Sequence, residues 1–354
     1  MAGAVDIESL PRAYGAPLGS ALLRARPEDF RVEELLGFRP SGHGEHLFLQ
    51  VRKTGRTTEE AARALSAWLE VPVRHISYAG LKDRNAMTTQ WFSVHTPAMP
   101  APGPVPGEPA VEVLVVRRNE RKLRRGALDG NRFTLTLREV DAGTAALGHR
   151  LLAIAQGGVP NYFGAQRFGR GGRNVADAES LLAGRLRVRS RHKRGLLISA
   201  ARSYLFNCVL AARVEQGCWA RALPGELVML EGTNSVFPAT REAAGVLGRR
   251  LELQDVHPTG PLPGRGGIAP ERQALALEQE ALSVEAVLCN ALRDFGANAM
   301  RRALRVRVAD MRWYWPSSGT LELGFTLPAG AFATVVVREL LAVREAREAG
   351  EAAA

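Results

Sequence analysis

One aspartate, Asp83, stands between two cations, Lys82 and Arg84, in the short polar connection Gly80-Leu81-Lys82-Asp83-Arg84-Asn85-Ala86-Met87-Thr88. The flanking segments, His75 to Ala79 and Gln90 to His95, are dense in β-branched and aromatic residues and read as strands. A carboxylate in a loop held by strands can serve as a nucleophile or a general base. Residue type alone favours a plain turn-forming aspartate. Other chemistries find less support. His43-Gly44-Glu45-His46 is neither H-E-x-x-H nor the H-x-E of a zinc deaminase, and Cys208, Cys218 and Cys289 show no C-x-x-C spacing. The glycines of Phe168 to Asn174 and Pro263 to Gly267 match no P-loop, and no G-x-S-x-G is present.

The elements that must position this loop are legible nearby. His46 to Lys53 reads as a strand, and Thr57-Thr58-Glu59-Glu60 is a capping-box signature ahead of the helical pattern Ala61, Ala62, Leu65, Trp68, Leu69. Thr96 to Pro109 holds six prolines and is a surface connection. In the strand Asn131 to Val140, Phe133, Leu135 and Leu137 alternate with polar residues. A helix from about Thr144 to Gln156 stops at Gly157-Gly158. From Pro160 the texture turns Gly- and Arg-rich, then helical near Ser199 to Glu215 and Glu271 to Asp294, which marks a separate unit. Strand-like stretches return after Ala303, in LRVRV and LELGFTL, and a last helix is expected from about Pro328 to Gly330.

At 354 residues the chain suits two domains, or one large domain with an insertion. Its net charge of +11 favours a polyanionic partner. Two clusters concentrate the charge: Arg117 to Arg125, and Arg185 to Arg194, where Arg185, Arg187, Arg189 and Arg191 share one face if the segment is extended. Repeated phosphate contacts of this kind supply much of the affinity for nucleic acid. Tyr162, Phe163 and Phe168 are candidates for base stacking or for core. No run of eighteen apolar residues exists, the first fifteen residues lack an apolar stretch, and cysteine usage fits a reducing cytoplasm.

The segment Tyr78 to Phe92, YAGLKDRNAMTTQWF, resembles the signature of the TruD family of pseudouridine synthases, which centres on G-x-K-D followed by T-x-Q-W. Arg26 to Glu34, Lys122 to Leu135, Val159 to Asn174, Ile198 to Asn207 and Leu327 to Leu340 resemble further family segments in family order, so that the likeness spans essentially the whole chain. The resemblance implies an α+β fold. Its parts are a pseudouridine synthase catalytic domain with a mixed, mainly antiparallel sheet, expected over 1–156 and 305–354, and a TruD-specific α/β insertion over 157–304. It also implies isomerisation of uridine 13 in tRNA, with no metal and no organic cofactor, while the sequence itself gives no sign of a membrane span or of an obligate protein partner.

Carried over from the family's motifs, Asp83 is the essential carboxylate. Arg24, the basic position before P-E-D-F, is its candidate ion partner. Asn131 and Phe133, in N-x-F, are base contacts, an amide for the uracil edge and a ring for its face. Phe30 and Phe332 match positions that line the substrate site. A non-catalytic RNA-binding or RNA-folding protein on the same fold is the chief alternative, and a metal-dependent nucleic-acid hydrolase is the third.

Overall fold

The computed structural model describes residues 7–124 and 126–345. Strands β1 (Ser20–Leu23), β2 (Phe30–Leu36), β3 (His46–Thr54), β4 (Ile76–Tyr78), β5 (Met87–His95), β6 (Gly103–Val105), β7 (Glu108–Asn119) and β8 (Leu128–Leu137) come first, with helix α1 (Thr58–Trp68) between β3 and β4. Helix α2 (Thr144–Gly157) then leads to β9 (Val159–Pro160), α3 (Arg173–Leu182), α4 (Arg191–Glu215), β10 (Leu227–Leu230), β11 (Val236–Pro238) and α5 (Ala244–Glu252). Next come β12 (Val256–Leu262), α6 (Arg272–Ala281), α7 (Ala286–Asp294), β13 (Met300–Ala303) and β14 (Arg305–Val306). The chain ends on β15 (Ala309–Ser317), β16 (Thr320–Pro328), α8 (Ala333–Arg338) and β17 (Ala342–Glu345).

These elements gather into two compact units. One comprises residues 18–144, 309–330 and 341–354, and the other residues 1–17, 145–308 and 331–340. The first unit is built on a nine-stranded sheet in the order β15-β16-β8-β2-β5-β3-β7-β6, with β4 also on β5. The β2–β5 pair is parallel and the other pairs are antiparallel, so the sheet is mixed and mainly antiparallel. β1 and β17 form a separate parallel pair. Period-two alternation on β3 turns Leu47, Leu49 and Val51 inward, where they pack with Ala61, Ala62 and Leu65 of α1. The capping box predicted ahead of α1 is present, with Thr57 and Glu60 bonding each other's main-chain amides.

The second unit is α/β, with the four-stranded sheet β11-β10-β12-β13. Helix α4, apolar and long enough by composition to cross a membrane, is the only such helix among the described residues. Leu197, Leu205, Phe206, Val209 and Leu210 along it are buried in the unit's core.

Compactness draws the line elsewhere than the boundaries expected at 156 and 305. Residues 1–17, 145–156, 305–308 and 331–340, expected with the large sheet, cluster with 157–304. The contacts that place them are specific. The Tyr14 hydroxyl donates to the Gly158 carbonyl at 2.7 Å, the buried Glu339 carboxylate accepts the Ala13 amide at 2.8 Å, and Arg338 donates to the Leu10 carbonyl at 2.6 Å. LRVRV does not enter the large sheet: β14 pairs with β9, and the returning strand is β15. Buried Arg305 accounts for this, since it bonds the main-chain carbonyls of Leu251 and Val256. The last helix begins at Ala333 because Pro328 still belongs to β16.

Candidate active site

Asp83 lies on the connection between β4 and β5, and the helix and strands around it hold the backbone there. The hydroxyl of Thr58, in the first turn of α1, accepts the Lys82 amide at 2.9 Å and donates to the Gln90 side chain at 2.9 Å. Gln90 in turn donates to the Gly80 carbonyl at 3.1 Å. Lys53, at the end of the inward row of β3, donates from Nζ to the main-chain carbonyls of Asp83 at 2.8 Å and Arg56 at 2.6 Å. The glutamate of the capping box, Glu60, takes Arg84 at 2.6 Å. The loop is thus tied at Gly80, Lys82, Asp83 and Arg84.

The Asp83 carboxylate is 43% exposed and pairs with Arg24 at 3.0 Å. Arg24 is buried, holds Glu345 through its other terminal nitrogen at 2.8 Å, and lies with its guanidinium carbon 4.1 Å from the centre of the Phe30 ring. Its φ of +58° lies in the left-handed region that few side chains adopt. Phe30 meets Phe133 edge-on at 6.2 Å, and Phe133 lies 5.6 Å from Phe325. The Phe133 ring is therefore packed between two others, as the strand alternation required, and is 6% exposed.

Asn131 faces Glu34 across the β2–β8 pair. Lys82 Nζ stands between them, 2.6 Å from Asn131 Oδ1 and 3.1 Å from Glu34 Oε1. An ammonium only donates, so the amide oxygen must face Lys82 and the amide NH₂ must point elsewhere. Glu34 also accepts the Trp91 amide at 2.9 Å. Burial raises the Glu34 carboxyl above the ordinary range, opposed by Lys82 and the Trp91 bond. Burial likewise lowers Lys53 to about 8, against the pull of Asp83.

Of the residues expected from the sequence, the sheet unit brings Arg24, Phe30, Asp83, Asn131 and Phe133 into one connected set. Phe332 belongs to the other unit. It stands at the N-terminal boundary of α8, 6.4 Å from the Phe163 ring, over which Arg302 is stacked at 4.1 Å. Tyr162, Phe163 and Phe168 are all buried, which makes them core. His43 and His46 do not converge, since His43 bonds Glu120 at 2.8 Å while the His46 ring lies tilted against His95 at 5.4 Å. Among the described residues no three His, Cys, Asp or Glu side chains gather as a metal site would require. Lys53 and Glu34 did not stand out in the sequence, and Thr58 and Gln90 were marked only as parts of the capping box and of T-x-Q-W, without a role at the loop. Lys53 carried a signal even so: a lysine in the inward phase of Leu47, Leu49 and Val51.

Comparison with known proteins matches this architecture at full length. The family model described as tRNA pseudouridine synthase D (TruD) matches residues 15–177 and 175–340. The chain belongs to the TruD family. A tRNA pseudouridine synthase D of Pseudomonas putida is 49% identical over 332 residues, 94% of each chain. That of Hydrogenovibrio crunogenus is 41% identical over 348 residues, covering 97% of this chain and 99% of the relative. A crystal structure from Methanosarcina mazei, described as a TruD protein, aligns over 96% of each chain with a TM-score of 0.74 at 22% identity, which shows the shared α+β fold. In TruD terms, the G-x-K-D loop of this chain is the one carrying Asp83, and the T-x-Q-W segment supplies two of the groups around it, Gln90 and the Trp91 amide.

Proposed function

We propose that this chain isomerises uridine 13 of tRNA to pseudouridine and that Asp83 is the carboxylate on which the reaction turns. Family membership supports the activity. The observation supporting the residue is a half-exposed carboxylate on a loop fastened at four points, with a buried arginine on one oxygen. The reaction breaks the N1 glycosidic bond, turns the trapped base, and joins C5 to the sugar, so it needs no redox step. An ionised carboxylate serves whether it attacks the sugar or base directly or takes a proton from the sugar. Arg24 orients that carboxylate and is itself held by Glu345 and Phe30.

Asn131, with its oxygen committed to Lys82, would present its NH₂ to a uracil carbonyl, while Phe30 lines the site beside Arg24, and Phe332 enters this reading only through its match to the family's motif. Phe133 supports Phe30 through their edge-on contact. The sheet unit carries the chemistry in this reading, and the segment 157–304 contributes to RNA contact. Arg185, Arg187 and Arg189 support the latter role, because they are exposed while Leu186 and Val188 between them pack on the helical core. In the other cluster, Arg118 is occupied by the Thr96 and Ala98 carbonyls, and Arg125 lies outside the described residues.

Asp83→Asn tests the reading. It keeps the shape of the side chain but cannot supply an ionised carboxylate. Tritium release from C5-labelled uridine in tRNA should vanish while filter-binding affinity stays within about threefold, because phosphate contacts spread over a wide surface supply most of the binding. Tritium release at the wild-type rate by this variant would overturn the assignment. Pseudouridine mapping in tRNA from a strain lacking the protein checks the position modified.

A further inference from the structure

Lys53 is 0% exposed, and its Nζ reaches the main-chain oxygens of two separate segments, Arg56 in the turn after β3 and Asp83 in the loop before β5. A buried ammonium costs free energy that a methionine of similar length would not, so the sheet carries a charge where packing alone calls for none. The bond to Asp83 goes to the peptide carbonyl, which fixes the rotation of that peptide plane and with it the direction in which the Asp83 side chain leaves the backbone.

We infer that Lys53 is a positioning residue for the reaction, a clamp that sets the Asp83 carboxylate through its own peptide group. The inference rests on the reading of Asp83 as the reactive carboxylate. The charged groups acting on Lys53 are Asp83, Lys82 and Arg84 of the loop, Glu60 of α1 and Glu34 of β2. With burial they bring the ammonium to about 8, so the clamp loses its charge within a range accessible to kinetics. The neutral amine retains two N–H groups, but hydrogen bonds from an ionised donor are about twice as strong, so the clamp loosens as pH rises through that value.

The test is single-turnover tritium release from C5-labelled tRNA by the full chain between about pH 6 and pH 9.5, with tRNA affinity measured in parallel. Wild type should lose rate as pH rises through about 8. Lys53→Met should be slower by about a hundredfold at neutral pH, the usual effect of a displacement near 1 Å in a reacting group, with tRNA affinity within about twofold. Its profile should lack the limb near 8. Lys53→Gln, which keeps a donor without a charge, should recover part of the rate and also lack the limb, and it replaces the Met variant should that fail to fold. A wild-type rate in Lys53→Met, or a limb that persists in either variant, overturns the inference. Those results leave Asp83 untouched, whereas turnover by Asp83→Asn would overturn the catalytic reading itself.

Discussion

Burial of the Lys53 ammonium should make the sheet unit more stable as the solution becomes alkaline, and the size of the effect follows from the shift. The folded state lowers Lys53 from its ordinary 10.5 to about 8. At about 1.36 kcal/mol per unit, the folded protein carries a penalty of about 3 kcal/mol whenever the group is charged. The sign follows from proton counting. Below pH 8 both states hold the proton and the penalty is complete; between 8 and 10.5 the unfolded chain holds more, so stability rises with pH; above 10.5 the penalty is gone. Between pH 7 and pH 10 the gain should be about 2 to 3 kcal/mol. Other groups titrate in this window, the tyrosines among them, so the quantity to measure is the difference between wild type and Lys53→Met at each pH. Urea titrations followed by tryptophan fluorescence suit this, because Trp68, Trp91, Trp313 and Trp315 all lie in the sheet unit. Wild type should gain about 2 to 3 kcal/mol on the variant from pH 7 to pH 10. A difference constant to within about 0.5 kcal/mol would refute the premise that the folded protein buries a charged ammonium there.

Lys82→Met should cost about 3 kcal/mol in urea titrations, since it leaves the Glu34 carboxylate buried without its cation, and turnover should fall more than tRNA affinity because Asn131 loses its orientation. In the other unit, Arg213 and Glu226 are both fully buried and 2.6 Å apart, so Arg213→Ala should destabilise by about 3 to 5 kcal/mol, read by Trp219 fluorescence, and a paired Arg213→Met, Glu226→Leu change should recover most of that loss. Reversing the exposed Arg185, Arg187 and Arg189 should lower the slope of log affinity against log salt for tRNA by roughly 0.7 to 0.9 for each phosphate no longer neutralised, and an unchanged slope in filter binding would remove this segment from the footprint.

The sequence by itself determined the pieces that short-range physics governs. Alternation placed Phe133, Leu135 and Leu137 on one buried face, the capping box opened α1, the glycine pair closed α2, and motif spacing put Asp83 on a loop between strands. It also marked Arg24 as the partner of Asp83, although only through resemblance, because 59 residues separate the two. Nothing local predicts that Lys82 should turn toward Asn131, 49 residues on, while its near neighbour Arg84 turns toward Glu60. That choice belongs to the sheet, whose register puts Glu34 opposite Asn131 and leaves a buried carboxylate for Lys82 to meet. The same holds for Lys53, whose inward phase can be read from β3 but whose partners come from a turn and a loop brought together only by folding. Tertiary structure likewise drew Phe332 into the compact unit of the inserted segment, because buried Glu339 and Arg338 beside it needed the main-chain groups of residues 10–14. Periodicity and caps are set by neighbours within a few residues of each other. The partner of a buried charge is set by whichever distant polar group the packing leaves within reach.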